Sequence, residues 1–270
     1  MGIFEGVLLV SDFDGTLTDS KGQIPDLNIM AIKDFISEGG KFTISTGRTK
    51  VGFHNYDKSI INAPVILGNG AMGYDYLKNF IAFINAIDAH CIDTLHGILR
   101  EFDDIGMEVY GVDNKTYVIN PNELNFSHFS GLKIDTYNVV EELNDVMFPV
   151  VKIMLSVGTK TFEVQDFLNK ISLDTLKYIP SNGNFLEILS KNSGKGPALL
   201  QLADVLDIAH SNVYAIGDAS NDVDMLKTAK KGFVPLSGDT YAKRVASDIV
   251  CSSDDGAVAD AIRILREIYS

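Results

Sequence analysis

Val7-Leu8-Leu9-Val10-Ser11-Asp12-Phe13-Asp14-Gly15-Thr16 is the stretch from which the fold can be read. Its first four residues make a short aliphatic run with the length and composition of a strand buried on both faces. The run ends at once in two carboxylates and a glycine. Open parallel sheets bind ligands outside the carboxyl ends of their strands, so this order predicts a strand that delivers Asp12 and Asp14 to such an edge. A spacing of two puts both side chains on one side of an extended backbone, and Gly15 lets the chain turn with its amides toward a ligand. Alone, an Asp-x-Asp pair is more often a turn or a helix cap. The neighbouring stretches decide.

Outward from that strand, a helix is predicted from Pro25, with Ile29, Ile32 and Ile36 on one face and Gly39-Gly40 as its stop. Residues 42–45 and 65–67 read as further strands. The same alternation returns after residue 190, where Leu199, Leu202, Ala203 and Leu206 recur at helical spacing, followed by a strand over 213–216. A helix is predicted from about Asn221 to Lys231, and Ile249-Val250 precedes a last helix carrying Val258, Ala261, Ile262 and Leu265 in register. Residues 1–84 and 189–270 therefore read as two parts of one parallel-sheet α/β core of Rossmann-like type. Between them, residues 85–188 carry paired strands: 107–112 with 116–119, one near 150–155, and a hairpin turning at Asn182-Gly183. Helices bearing Leu95, Ile98, Leu99 and Phe102, and then Val164, Phe167, Leu168 and Ile171, lie among them. That pattern predicts an inserted α+β unit.

The chain has 270 residues, 46% of them apolar and 22% charged, which is enough apolar material for a packed core and leaves room for two units. Its 36 acidic and 23 basic side chains give a net charge of −13. Such a field repels nucleic acid, and no local basic patch offsets it. It also repels phosphorylated metabolites, so any phosphate site must bring its own positive charge. Cys91 and Cys251 are too few and too far apart for a disulfide framework or a zinc site and read as buried reduced thiols. No basic, apolar leader opens the sequence and no stretch reaches transmembrane length, so a cytoplasmic protein without a membrane partner is expected. The oligomeric state is open.

Three more stretches carry chemistry. Ile44-Ser45-Thr46-Gly47-Arg48 is a strand end where the Thr46 hydroxyl and the Gly47 amide can donate to a phosphoryl oxygen. Arg48 reads more readily as a structural ion pair than as a phosphate ligand. Gly194-Lys195-Gly196-Pro197 opens a helix and adds an ammonium to the positive end of its dipole. It is not a P-loop, because Leu189 and Gly196 stand where that motif needs Gly and Ser or Thr. A solvated loop lysine fits Lys195 equally well on the sequence alone. Ala215-Ile216-Gly217-Asp218-Ala219-Ser220-Asn221-Asp222 is a strand followed by carboxylates and an amide, a donor set suited to a hard cation such as Mg²⁺. Helix capping by Ser220 or Asn221 is compatible with it.

Taken together and in this order, the four stretches DFDGT, STGR, SGKG and GDASND resemble the haloacid dehalogenase superfamily, and within it the Cof-type phosphatases with a large inserted α/β cap. Asn69-Gly70-Ala71 is similar to that branch's NGA stretch. The resemblance implies a Mg²⁺-dependent phosphatase acting on a small phosphorylated metabolite such as a sugar phosphate, nucleotide or cofactor phosphate. It implies Asp12 as the nucleophile that forms an aspartyl-phosphate, Asp14 as acid and base, and Thr46, Gly47, Lys195 and Asn221 around the phosphate. Asp12, the backbone carbonyl of Asp14 and Asp218 would ligate the metal, with Asp222 supporting them. Residues 233–239 depart from the family's usual run. Two alternatives remain open: a sugar phosphomutase on the same core, and a phospho-acceptor signalling domain that stores the phosphoryl group.

Overall fold

The computed structural model describes residues 2–53, 56, 58–146, 149–171 and 173–270. Elements are numbered along the chain. Strand β1 (Leu8–Ser11) runs into a wide π-type turn (Phe13–Leu17), then α1 (Asp26–Ser37), β2 (Lys41–Ile44), β3 (Val65–Leu67), β4 (Met72–Asp75) and β5 (Phe80–Ile84). Next come α2 (Ile92–His96), α3 (Ile98–Glu101), β6 (Gly106–Gly111), β7 (Thr116–Ile119), α4 (Glu123–Leu132) and β8 (Asn138–Val139). They are followed by β9 (Val150–Ser156), α5 (Thr161–Lys170), β10 (Leu176–Ser181) and β11 (Phe185–Ser190). The chain ends with α6 (Lys195–Val205), β12 (Val213–Ile216), α7 (Val223–Thr228), β13 (Lys231–Pro235), α8 (Thr240–Lys243), β14 (Asp248–Val250) and α9 (Ala257–Tyr269). Among the described residues no helix is long and apolar enough to cross a membrane.

The chain divides into two compact units, Met1–Gly47, Tyr56–Phe83 and Gly194–Ser270 forming the first and Arg48–Asn55 and Ile84–Ser193 the second. The first holds a five-stranded parallel sheet in the order β14-β13-β12-β1-β2. Alternation along β1 sends Leu8 and Val10 to one side, where they pack with Leu199, Leu202, Ala203 and Met225. On α9, Ala261, Ile262 and Leu265 are buried, and this helix packs on α1, β13 and β14. The register pairs Ser11 with Ile44 on one neighbour and with Ile216 on the other. The loops leaving β1, β2 and β12 therefore emerge side by side at one sheet edge. Because the chain winds to β2 on one side of β1 and to β12 on the other, that edge is a topological switch point, where open α/β sheets hold their ligands.

The second unit is built on a six-stranded sheet in the order β10-β11-β9-β6-β7-β8, antiparallel except for β7 with β8. One face is apolar, with Met107, Val109, Ile153, Leu155, Leu186 and Ile188 in a single core. On the other face Glu108 is fully buried and accepts from the Tyr110 hydroxyl at 2.6 Å and the Asn125 amide at 2.9 Å, with His128 Nδ1 at 2.8 Å. The predicted Asn182-Gly183 hairpin is present, with both residues at positive φ.

Several elements differ from the sequence reading. The helix expected over 221–231 stops at Thr228, and Lys231 begins β13, where it pairs in parallel with Tyr214. Sheet pairing outweighs a helical period only weakly marked by apolar residues there. Helical residues 92–101 are broken in two at Gly97, a poor helix former. β3 leaves the parallel sheet after one bridge, Ser45 to Ile66, and pairs instead antiparallel with β4 in a three-stranded sheet, β3-β4-β5. Of the two thiols, Cys91 is buried and Cys251 only half-buried.

Candidate active site

The segment after β1 occupies the centre of the first unit's sheet edge. The Asp12 amide still donates to Ile216 in the ladder, at 2.8 Å. Past Asp12 the backbone coils rather than extends, with Gly15 at φ +82, so the alternation that would align Asp12 with Asp14 no longer applies. As a result the Asp12 side chain is buried and that of Asp14 is exposed. Gly15 has a second reason to be glycine: a Cβ there would lie 2.9 Å from Asp218 Oδ2.

Lys195 is not a solvated loop residue. It is the first residue of α6, is 1% exposed, and its Nζ lies 2.5 Å from both Asp12 Oδ1 and Asp222 Oδ1. The other oxygen of Asp222, Oδ2, accepts the amides of Asp218 and Ala219, each at 3.0 Å. Asp222 thus fastens the loop after β12 to Lys195. This approach needs Gly217, since a Cβ there would come within 2.5 Å of Asp222 Cγ. The Thr16 hydroxyl donates to Asp218 Oδ1 at 2.7 Å. Thr16 has no assigned role in the sequence reading, although its place in the first motif made it visible.

Asp12, Asp218 and Asp222 offer carboxylate oxygens that all lie within 4.8 Å of one another. Ionised, these three carboxylates face, among the described residues, the ammonium of Lys195, whose one charge balances only one of their three. The electrostatics register this. Burial, together with the charge of Asp222, holds the Asp12 carboxyl well above the ordinary carboxylate range, with Lys195 opposing. Burial also raises Asp218, which the Thr16 hydrogen bond partly offsets. Burial alone would lower Lys195, yet Asp12 and Asp222 outweigh it and keep the ammonium charged. An all-oxygen, under-neutralised cluster of this kind fits a hard divalent cation. Asp222 has both oxygens engaged by donors, which leaves Asp12 and Asp218 freer to hold such a cation.

Thr46 and Gly47 follow β2. Thr46 is 1% exposed, its amide donates to Ile66 at 2.9 Å and its carbonyl accepts from the Asn69 amide at 3.0 Å. Asn221 is exposed, and its Nδ2 donates to Asn69 Oδ1 at 3.4 Å. The structure thus brings Asp12, Thr16, Lys195, Asp218 and Asp222 into direct contact, while Thr46, Gly47 and Asn221 meet through Asn69. Arg48 is half-buried and belongs to the second unit.

A family model described as haloacid dehalogenase-like hydrolase matches residues 9–262. A Mycoplasma genitalium protein named provisionally as a phosphatase is 28% identical over 259 residues, covering 89% of this chain and 91% of the relative. The phosphatase YwpJ of Bacillus subtilis is 25% identical over 290 residues, covering 96% and 99%. Among solved structures, one described as a sugar phosphatase of subclass IIB superposes with a TM-score of 0.82 at 20% identity, over 96% of this chain and 99% of the other, and so has the same fold.

Proposed function

The chain belongs to the haloacid dehalogenase-like hydrolase family, and from that premise we propose that it is a Mg²⁺-dependent phosphatase that releases inorganic phosphate from a small phosphorylated metabolite through an aspartyl-phosphate. The observation that carries this reading is the buried Asp12–Lys195–Asp222 ion cluster beside Asp218 at the switch point of a parallel sheet. A carboxylate held there against an ammonium suits nucleophilic attack on a phosphoryl group, whose transfer depends on alignment and charge neutralisation. On this reading the second unit is the inserted cap domain.

In the first step Asp12 Oδ bonds to phosphorus while the bond to the leaving oxygen breaks, and Asp14 supplies that oxygen with a proton. Exposure of Asp14 and burial of Asp12 suit this division, since the acid must exchange protons with solvent and the nucleophile must not be screened by it. In the second step Asp14 takes a proton from the water that attacks the phosphoaspartate, and Asp12 is regenerated. Lys195, the Thr46 hydroxyl, the Gly47 amide and Asn221 hold the phosphoryl oxygens throughout. A bound Mg²⁺, ligated by Asp12, Asp218 and the backbone carbonyl of Asp14, would supply positive charge against those oxygens.

The test is a panel of phosphate esters, led by sugar phosphates because of the structural likeness to a sugar phosphatase, assayed for phosphate release with Mg²⁺ and with excess chelator. Release that requires the metal is expected. Exchange of phosphate within a hexose phosphate without net release would make the protein a mutase, and a lasting phosphoprotein with no turnover would make it a signalling acceptor.

A further inference from the structure

The three loops that hold the phosphoryl group on the proposed reading come from distant parts of the chain, yet a misplacement of about 1 Å between such groups costs on the order of 100-fold in rate. Two joints tie part of the set together: Lys195 with Asp12, and Asp222 with Lys195 and the loop after β12. Neither joint involves Thr46 or Gly47. The turn Gly68-Asn69-Gly70 reaches both. All three of its residues have positive φ, at 60, 53 and 90°. Asn69 is only 7% exposed. Its amide donates to Thr46, its Oδ1 accepts from Asn221, and its side-chain amide lies so close to Gly47 that a Cβ on Gly47 would sit 3.1 Å from Oδ1. On its other side Gly70 backs onto the residue before Lys195, where a Cβ would fall 2.2 Å from the Gly194 carbonyl oxygen.

The contacts close a ring: Asp12 to Lys195, Lys195 to Asp222, Asn221 to Asn69, Asn69 to Thr46 and Gly47, and from Ser45 across the ladder to Ser11 beside Asp12. A left-handed backbone favours glycine, and glycine occupies the positions on either side. An asparagine between them is the costlier choice, and its side chain is spent on two of the loops. We infer that Asn69 is a positioning residue that sets the Thr46–Gly47 loop and Asn221 at the spacing of one phosphoryl group, with Gly70 seating the start of α6 against the same turn. This rests on the phosphatase reading of the site.

Asn69→Gly tests it, because glycine accepts the left-handed backbone and removes only the side chain. On the best ester of the panel, kcat/KM should fall on the order of 10- to 100-fold, and the inhibition constant of inorganic phosphate should rise about 5-fold or more, with the melting temperature close to the parent's. Asn221→Ala should lose less on the Asn69→Gly background than on the parent, since the two side chains act through one contact. Unchanged kinetic constants and phosphate inhibition in Asn69→Gly would overturn the inference. So would a loss that merely tracks a lowered melting temperature and adds in full to that of Asn221→Ala. Calorimetric titration with inorganic phosphate separates this from the functional reading. If the parent hydrolyses no ester but binds phosphate, and Asn69→Gly binds it several-fold more weakly, the phosphatase reading falls and the positioning role stands. Equal binding by both, or by neither, overturns it.

Discussion

At the scale of single residues, Asp12 and Asp14 differ in what surrounds them more than in chemistry. Asp12 is buried and bound to Lys195, whereas Asp14 is exposed on a turn. Asp12→Asn should abolish both phosphoenzyme formation and turnover, because the amide is no nucleophile. Asp14→Asn should lose roughly 10²- to 10⁴-fold on esters whose leaving oxygen needs a proton. With a nitrophenyl phosphate, whose leaving group needs little protonation, Asp12 should still be phosphorylated while water attack stays slow. Intact mass after an acid quench should then show the phosphoprotein accumulating in Asp14→Asn, and its absence would remove Asp14 from the acid-base role. Lys195 has a structural part besides its proposed chemical one. Lys195→Ala leaves Asp12 and Asp222 facing each other in a buried site, a loss of about 3–5 kcal/mol, or on the order of 10 °C in melting temperature for a chain of this size. Calorimetry decides this: a melting temperature within a degree or two of the parent's would mean that the pair is solvated in solution.

At the scale of elements, the proposed site lies where three parallel strands stop together, and small side chains let the loops close in. Gly217 is one of these, packed against the Asp222 carboxylate. Gly217→Ala should cost about 1–3 kcal/mol and shift Asp222, and with it the Asp218–Ala219 loop. Denaturant unfolding gives the first quantity and Mg²⁺ affinity the second, and an unchanged affinity would mean that the loop is fixed by other contacts. α6 contributes its buried face as well as its first residue. Leu202→Ala, within the packing against β1 and β12, should destabilise by about 2–5 kcal/mol while leaving kcat nearly untouched at a temperature where the protein is folded.

At the scale of the whole molecule, the net charge of −13 makes cation binding and folding partners. Asp12 and Asp218 bind their protons more tightly in the folded chain than in the unfolded one. In the cation-free protein their contribution therefore favours the fold at low pH and is lost as pH rises through their raised folded-state values. A divalent cation held by these carboxylates would remove that loss. Mg²⁺ at about 100 times its dissociation constant should stabilise the fold by roughly 2.7 kcal/mol. Since protons compete for the same oxygens, the melting-temperature gain from Mg²⁺ should be larger at neutral pH than in mild acid. A gain independent of pH would place the cation elsewhere.

Local sequence determined the parallel α/β character of the chain and the family, because short aliphatic runs that end in acidic or hydroxyl residues are properties of neighbouring residues. It also determined the Asn182-Gly183 turn, where two adjacent residues alone set the backbone. It did not determine where the helix after Asp222 ends or that β13 comes next, since pairing with Tyr214 is a contact across the helix itself and not one between neighbouring residues. Nor did it determine that Lys195 is buried between Asp12 and Asp222, or that Asn69 touches Asn221. A lysine at a helix start and an asparagine between two glycines look the same in sequence whether solvated or enclosed. Only the convergence of β1, β2, β12 and α6 on one edge supplies the charges and carbonyls that enclose them, and that convergence is a property of the tertiary structure.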